Sequence, residues 1–597
     1  MGERAARRIP TLATLLVAAL GLTAAGPPET MAQEARATPL GARLDSLVRA
    51  TVPFGFAGQV VVEVDGRVVL DGAYGYADAA ARRPMTRETR LGVASVSKQF
   101  AAAAVMSLVE AGRLSTSDTL GRFFPDAPPD KRGITLEQLL THTSGVRTTI
   151  REDFEAKSLD ELVGNLMETP LAFEPSTRWA YSTEGYNLVA AIVQQVSGRP
   201  YGEYLRERLF EPAGLAHTSL LDGARTGDVA EAYLAWDDRG SPHSWPHNWR
   251  NFGAGDVVTT AEDLHRWDVA LREGRILRSV SVERMTTSHA EVQDGVGYGY
   301  GFFINHADGE PRMIEHGGDA ELGYNASYFR YVDEGFVVII TCNRRSPDGV
   351  SLRHALGLPI ERMLRGQERE PPPGAELLEP DVARRLAGTY ELPDGSYLYV
   401  IFDGVRPWIA ADGQAAVELL AGTDSLAPNR VLVDRRTAEL MDGLLAGADL
   451  TAYATALDSA GAPYLDDYVG EWRELVASKG PLQAYRIAGS VSDERTALTR
   501  ATLRFRDGVT TMSFFWSEGG RGRLAGTNVE ATPFRPPAVF PLGRAPDGLL
   551  VGWDPIGEHT VRLSVSAAGN LELRGPDGSR VAAKRRGALG WLPPFRP

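Results

Sequence analysis

Two hairpin signals far apart in the chain constrain its fold more than any other feature. Gln59 to Val64 and Arg67 to Tyr74 are apolar-rich runs flanking Asp65-Gly66. An Asp-Gly pair in that setting marks a tight β-turn, because both central residues of the favoured hairpin turn need positive φ. Tyr324 to Tyr331 and Phe336 to Cys342 repeat the arrangement around Asp333-Glu334-Gly335. Between the two hairpins the periodicity is helical. Ser95 to Ala111 reads as a helix closed by Gly112, with four alanines at 101–104. Leu136 to Leu140 is a shorter piece, Glu184 to Val196 ends at Ser197-Gly198, and Leu352 to Arg365 reads as a terminal helix. Strands at both ends with helices between predict an α+β layer sandwich. Its two chain ends share one antiparallel sheet flanked by helices, with an inserted helical region.

The organisation around this core is read from texture. Residues 38–366 form the sandwich, and 367–379, with Pro371-Pro372-Pro373, read as a linker. Beyond it, 380–597 reads as a mostly antiparallel, β-rich accessory region, either one unit or two small domains. Leu386 to Ala411 gives short strands around Asp394-Gly395. Arg435 to Lys479 is helical in two pieces broken at Gly461-Ala462-Pro463. Ala497 to Phe505 and Val509 to Trp516 flank a further hairpin turn at Asp507-Gly508. At the other end, Arg4, Arg7 and Arg8 precede a mostly apolar stretch from Ile9 to Ala25 and then small residues to Ala32. That is the pattern of a secretory signal peptide over 1–33, so a periplasmic or secreted location is expected, with membrane contact only if the segment is retained as an anchor.

Charge and cysteine content narrow the chemistry. With 63 basic against 77 acidic residues the formal charge is −14, which disfavours a nucleic-acid partner, since phosphate neutralisation needs a basic face. The one cysteine, Cys342, excludes an intramolecular disulfide framework and any Cys-based metal cluster. It sits in an apolar run and reads as a buried strand residue. Only five of the 63 basic residues are Lys, so a lysine inside a motif is informative.

One such lysine stands in Ser95-Val96-Ser97-Lys98. A serine hydroxyl is a weak nucleophile until a base takes its proton. A lysine three residues on, along the same helical face, is within reach of that oxygen, and partial burial lowers its pKa toward the range of a base. The helix N-terminus adds free N–H groups suited to a developing oxyanion. By itself the pattern fits a capped helix with a solvated lysine equally well.

Further segments decide between these readings. Gly72–Asp78 (Gly-Ala-Tyr-Gly-Tyr-Ala-Asp), Leu139–Val146 (Leu-Leu-Thr-His-Thr-Ser-Gly-Val), Trp179–Tyr186 (Trp-Ala-Tyr-Ser-Thr-Glu-Gly-Tyr), Gly253–Leu264 and His316-Gly317-Gly318 occur in that order. With the Ser-x-x-Lys motif they resemble the serine β-lactamase and penicillin-binding-protein superfamily, in the branch of class C β-lactamases, D,D-carboxypeptidases, D-aminopeptidases and related esterases, over about residues 40–365. The resemblance implies that Ser95 is the acylated nucleophile, Lys98 its proton partner, and Tyr181 the tyrosine of the family's Tyr-x-Asn motif. Either Lys98 or Tyr181 serves as base; the ammonium and helix terminus beside the phenol favour its ionised form. Thr183 stands where the family usually has Asn, which disfavours efficient β-lactam turnover. His316, Gly317 and Gly318 correspond to the third motif, expected on an edge strand that pairs with extended substrate. The following residue, Asp319, is expected to complete with Ser95 a backbone N–H oxyanion hole.

The resemblance thus implies a serine hydrolase acting through an acyl-enzyme on a small-molecule or short-peptide donor (a D-peptide, ester or β-lactam), with no metal or organic cofactor. The alternative is a non-catalytic cell-wall-peptide sensor or scaffold of the same fold. Two rival sites are weaker. Ser144 with His142 lies in a segment that is structural in the family. His243 and His247 straddle Pro246 and show no third metal ligand, while Trp245 and Trp249 between and after them are candidates for the cleft mouth. No oligomeric state follows from the sequence.

Overall fold

The computed structural model describes residues 38–147, 158–224, 227–234, 237–240, 251–293, 295–307, 309, 311–320, 323–345, 356–367, 371–404, 406–421, 430–447, 456–457, 465–492, 496–517, 523–529, 538–553, 560–574 and 580–587. The signal-like segment, His243, Trp245, His247, Trp249 and the Gly461-Ala462-Pro463 break therefore lie outside the described residues.

The chain begins with helix α1 (Pro39–Thr51), then strands β1 (Gly58–Val64) and β2 (Arg67–Tyr74). Asp65 and Gly66 both take positive φ, 49° and 75°, as the turn requires. The helical part follows, with α2 (Lys98–Glu110), α3 (Thr183–Ser197) and α4 (Ala261–Arg272) as its main members. The chain then returns through β3 (Ala290–Gln293), β4 (Val296–Tyr298), β5 (Phe303–Asn305), β6 (Met313–Asp319), β7 (Asn325–Tyr331) and β8 (Phe336–Cys342). These make one antiparallel sheet in the order β3-β4-β5-β6-β7-β8-β1-β2. First and last strands meet in the middle: β1 pairs with β8 from Gly58↔Cys342 to Val64↔Phe336.

Both faces of the central strands are covered, which is why they are near-continuous apolar runs rather than alternating ones. Val60, Val62, Val338, Ile340 and Cys342 pack with Leu44 and Val48 of α1 and with Ile360. Val61, Val337 and Ile339 face the other way, onto the core that holds α2 and α3. The terminal helix is described from Leu358 to Leu364. Cys342 is a free, buried strand residue. Every residue of α2 from Lys98 to Leu108 is buried; its alanines let α3 approach closely.

The accessory region is a closed barrel with a second unit nested inside its sequence. Strands β9 (Gly388–Glu391), β10 (Tyr397–Phe402) and β11 (Pro407–Asp412) begin the barrel. The chain leaves through helices α5 (Arg430–Leu445) and α6 (Leu465–Lys479) and the four-stranded sheet β12 (Leu482–Ser492), β13 (Thr496–Phe505), β14 (Gly508–Ser517) and β15 (Arg523–Val529). It re-enters with β16 (Ala538–Arg544), β17 (Leu550–Trp553), β18 (Thr560–Val565), β19 (Leu571–Arg574) and β20 (Arg580–Gly587). β9 pairs with β20, closing the ring and leaving no open edge. The stretch read as a linker is anchored at its far side: Glu376 and Arg544 exchange backbone hydrogen bonds of 2.9 and 2.8 Å. Barrel and sandwich touch through Phe54 and Trp553, with ring centroids 5.6 Å apart, and through buried Arg344, which bonds Asp403 at 2.7 Å. Among the described residues no helix is long and apolar enough to cross a membrane.

Candidate active site

The Ser95 segment is a sharp turn from strand to helix. Leu91-Gly92 is a short strand, Ala94 takes the left-handed conformation (φ 44°), and Ala94–Ser97 form one 3₁₀ turn before α2 opens at Lys98. A positive φ on alanine is strained and persists only where the surroundings dictate it. The 3₁₀ turn eclipses residues i and i+3, so Lys98 Nζ comes 3.1 Å from Ser95 Oγ. The lysine also donates to the Ala254 carbonyl at 3.1 Å. Ser95 is partly exposed, whereas Lys98 is fully buried. Burial pulls the Lys98 pKa down to about 7, against the opposing pull of the Glu184 carboxylate. Glu184 itself is buried at the start of α3 and is a contributor that motif reading missed.

Tyr181 precedes α3. Its hydroxyl hydrogen-bonds Ser95, and Lys98 Nζ lies 4.8 Å from its ring centroid. The phenol was expected to favour ionisation in this company. The structure reverses that balance: burial raises the Tyr181 pKa, and the Ser95 hydrogen bond offsets only part of the rise. Tyr181 is therefore a neutral proton donor and acceptor at neutral pH.

His142 supports this tyrosine. Its ring centroid is 4.4 Å from that of Tyr181 and 4.6 Å from that of Tyr298. Its Nδ1 accepts the Ser182 backbone N–H at 3.0 Å. The imidazole is fully buried and kept neutral, chiefly by burial and secondarily by Lys98 and His316. With Nδ1 an acceptor, the hydrogen sits on Nε2. Neither nitrogen engages Ser144, whose hydroxyl accepts instead from the Val146 N–H at 3.3 Å. The rival nucleophile is thus a turn residue. The motif containing His142 was visible in sequence, but its ring contact with Tyr181 joins two segments 39 positions apart and had no local signal.

The third motif lies on β6, which is an interior strand rather than the edge strand expected. β5 is only three residues long, however, and its pairing stops at Phe303↔Glu315. Among the described strands, none pairs with His316–Asp319 on that side, while β7 holds the other from His316↔Tyr328 to Asp319↔Asn325. The open edge is thus a half-strand. A Cβ at Gly318 would lie 2.1 Å from the Val93 carbonyl oxygen and 3.3 Å from Ser95 N, so this glycine is what lets β6 lie against the nucleophile turn. Gly317 faces open space.

His316 does not reach the cleft as a substrate-binding side chain. Its ring is 1% exposed. Its Nδ1–H donates to the Gly317 carbonyl at 2.6 Å, and its Nε2 accepts the Tyr298 hydroxyl at 3.1 Å. Burial, then Lys98, lowers its pKa to about 3, so it stays neutral. Asp319 ends β6 with its carboxylate 2.9 Å from Arg345 Nε. Thr183 is the first residue of α3, partly exposed beside Tyr181, after Ser182 caps the helix by accepting the Gly185 N–H at 3.0 Å.

Ser95, Lys98 and Tyr181 thus converge from two segments, beneath a strand end pinned by glycine. The arrangement can move a proton from a partly exposed hydroxyl to a buried amine. The chain is similar to known proteins. Residues 44–358 match the family model described as Beta-lactamase. The chain is 27% identical over 399 residues to a penicillin-binding protein of Bacillus subtilis, covering 62% of this chain and 87% of that protein. It is 29% identical over 299 residues to a D-aminopeptidase of Brucella anthropi, covering 48% of this chain and 56%, or about half, of that relative. A crystal structure of a penicillin-binding protein from Bacillus halodurans is similar at 27% identity and a TM-score of 0.43, over 51% of this chain and 95% of that one.

Proposed function

The chain belongs to the Beta-lactamase family and is a serine hydrolase of that type, and from that premise we propose an acyl-serine cycle on Ser95 with Lys98 as its general base. The observation that carries this reading is a fully buried amine with a pKa near 7, 3.1 Å from the nucleophile oxygen. An unprotonated Lys98 takes the hydroxyl proton as Ser95 Oγ bonds to the acyl carbon. The carbonyl oxygen becomes an oxyanion and accepts hydrogen bonds from the backbone N–H groups of Ser95 and Asp319. Collapse expels the leaving group, which takes a proton through the Tyr181 phenol while Lys98 replenishes it. Water then repeats the sequence on the ester and releases the acid.

The donor we favour is a short D-amino-acid peptide or amide, or an ester, rather than a β-lactam. Thr183 supports this, since a hydroxyl makes fewer bonds than the amide usual at that position. Similarity to a D-aminopeptidase points the same way. The basic, apolar and small-residue order of residues 1–33 supports export. The deciding test is labelling with a fluorescent fluorophosphonate, followed by screening of D- and L-aminoacyl p-nitroanilides, p-nitrophenyl esters and nitrocefin. Label on the wild type, none on Ser95→Ala, and D-anilide or ester turnover above nitrocefin turnover are expected. Labelling that persists in Ser95→Ala overturns the assigned nucleophile. Cell fractionation with N-terminal sequencing tests the export reading, which recovery of the protein only in the cytoplasm, with Met1 intact, would contradict.

A further inference from the structure

The barrel meets the sandwich beside the end of the sheet that carries the oxyanion-hole strand. Asp319, Asn325, Cys342 and Gly58 form one row across β6, β7, β8 and β1. Two residues beyond Cys342, Arg344 and Arg345 form a short strand paired in parallel with Tyr233 and Leu234. Successive side chains on a strand point opposite ways, and here they take different partners. Arg345 Nε is 2.9 Å from the Asp319 carboxylate. Arg344 donates to Asp403 Oδ2 at 2.7 Å, with both side chains almost wholly buried.

Asp403 belongs to the barrel, in the turn between β10 and β11. It is held from its own side by the Trp408 indole N–H at 2.8 Å and the Arg406 backbone N–H at 2.8 Å. Arg406, itself buried, donates to the Val52 carbonyl at 3.2 Å. The Arg344 guanidinium covers the Tyr233 ring at 4.6 Å. Against the backbone of Tyr233 lies Gly323: a Cβ there would fall 2.6 Å from the Tyr233 carbonyl atoms, and the Gly323 N–H donates to the carbonyl of Ala320, the residue after Asp319, at 2.9 Å. The contacts are thus contiguous from Asp403 to both sides of Asp319, one through Arg345 and one through Tyr233.

We infer that Asp403 of the barrel is a positioning residue for the oxyanion hole, holding the Arg344-Arg345 strand so that the Asp319 backbone N–H stays aimed at the acyl oxygen. The accessory region thereby serves catalysis without touching substrate. This rests on the acyl-serine reading above. An oxyanion donor aimed slightly wrong weakens the transition state and leaves ground-state binding alone.

The test uses the full chain and three variants, Arg345→Gln, Asp403→Asn and Asp403→Glu. Acylation by a p-nitrophenyl ester is measured per active site titrated with fluorophosphonate, together with KM, the inhibition constant of a boronic acid whose adduct places oxygen in the hole, and the thermal midpoint. Arg345→Gln and Asp403→Asn are expected to lower the per-site acylation rate by about tenfold, a fraction of what losing a whole donor costs. KM should stay unchanged, boronate affinity should fall in parallel, and Asp403→Glu should restore part of the rate. A merely structural role moves the thermal midpoint and the number of titratable sites but not the per-site rate or boronate affinity. Wild-type values for both in folded Asp403→Asn overturn the inference; if that variant does not fold, wild-type values in Arg345→Gln do so. A wild type that takes up no label overturns the acyl-serine reading and this inference with it, whereas a labelled wild type with unchanged variants overturns the inference alone.

Discussion

Two buried cations of the sandwich, one at the nucleophile turn and one at the junction with the barrel, stand in different company. Lys98 is fully buried with a hydroxyl and a carbonyl as hydrogen-bond acceptors, and its pKa drops to about 7. Arg344 is buried at the barrel junction against Asp403. Burial alone would raise the Asp403 carboxyl, yet Arg344 and Arg406 hold it below its ordinary range. Arg406 is lowered only to about 10 and stays charged at neutral pH. The difference lies in the chemistry of the two cations as well as in their company. A buried ammonium given mainly dipoles yields its proton near neutral pH, whereas a guanidinium is intrinsically far more basic and, set against a carboxylate, becomes a fixed strut. Burial supplies reactivity in the first case and rigidity in the second.

The comparison breaks most visibly at Lys98. Lys98→Met should abolish acylation, by about a thousandfold or more in the single-turnover rate. It should also leave the fold as stable or more stable, by about 1–2 kcal/mol in urea unfolding, because a poorly compensated buried amine becomes an apolar side chain. A variant that loses activity together with several kcal/mol would show that Lys98 is a structural group. Tyr181→Phe comes next, with a drop of about a hundredfold in kcat for amide donors. The drop should be smaller for p-nitrophenyl esters, whose leaving group needs no proton, and equal losses on both would count against the leaving-group role. Asp403→Asn should do what Lys98→Met does not, costing about 3–5 kcal/mol because two guanidinium groups lose their buried counter-charge; a cost below 1 kcal/mol, on the order of an exposed pair, would remove the contrast.

Much of the first half of this comparison is legible in the chain itself. The Ser95-to-Lys98 spacing is a local property, and so are the Asp65-Gly66 and Asp507-Gly508 turns. Each depends on neighbours a few residues away and leaves a mark in sequence. What was not legible joins distant segments. The barrel closes by pairing Thr389 with Gly587, and no local pattern announces a partner so far along the chain. His142 meets Tyr181, and Arg344 meets Asp403, for the same reason. The burial of His316 was hidden differently. Strand alternation puts it on the same face as Gly318 and opposite Gly317, but motif matching names residues and not the faces they occupy.

The sign of the pH response sharpens the contrast at moderate cost. The neutral Lys98 is the base, so the acylation rate should rise with pH, fall about tenfold per unit well below pH 7 and level off above about 8. Because folding depresses the pKa of this cation, the unfolded chain binds more protons between about 7 and the ordinary value of 10.5. Stability at this site therefore rises with pH across that window, and Lys98→Met should flatten it. A rate profile flat from pH 5.5 to 8.5 would exclude a base with a pKa near 7.

The smallest expected effect probes whether Lys98 owes its low pKa partly to the company it keeps. Thr183 begins α3 beside Tyr181, and asparagine there adds an amide with both an acceptor and a donor. One net hydrogen bond at the amine or the substrate amide contributes about 1 kcal/mol, or roughly fivefold in rate. Thr183→Asn should therefore raise nitrocefin turnover by a few-fold and leave p-nitrophenyl ester hydrolysis nearly unchanged, because an ester lacks the amide that the new side chain recognises. If the added acceptor bonds Lys98 instead, it stabilises the ammonium, and the acidic limb of the pH profile moves upward for esters and β-lactams alike. The two outcomes separate substrate recognition from tuning of the base: a change confined to nitrocefin assigns position 183 to the substrate, and a common shift of the profile assigns it to Lys98.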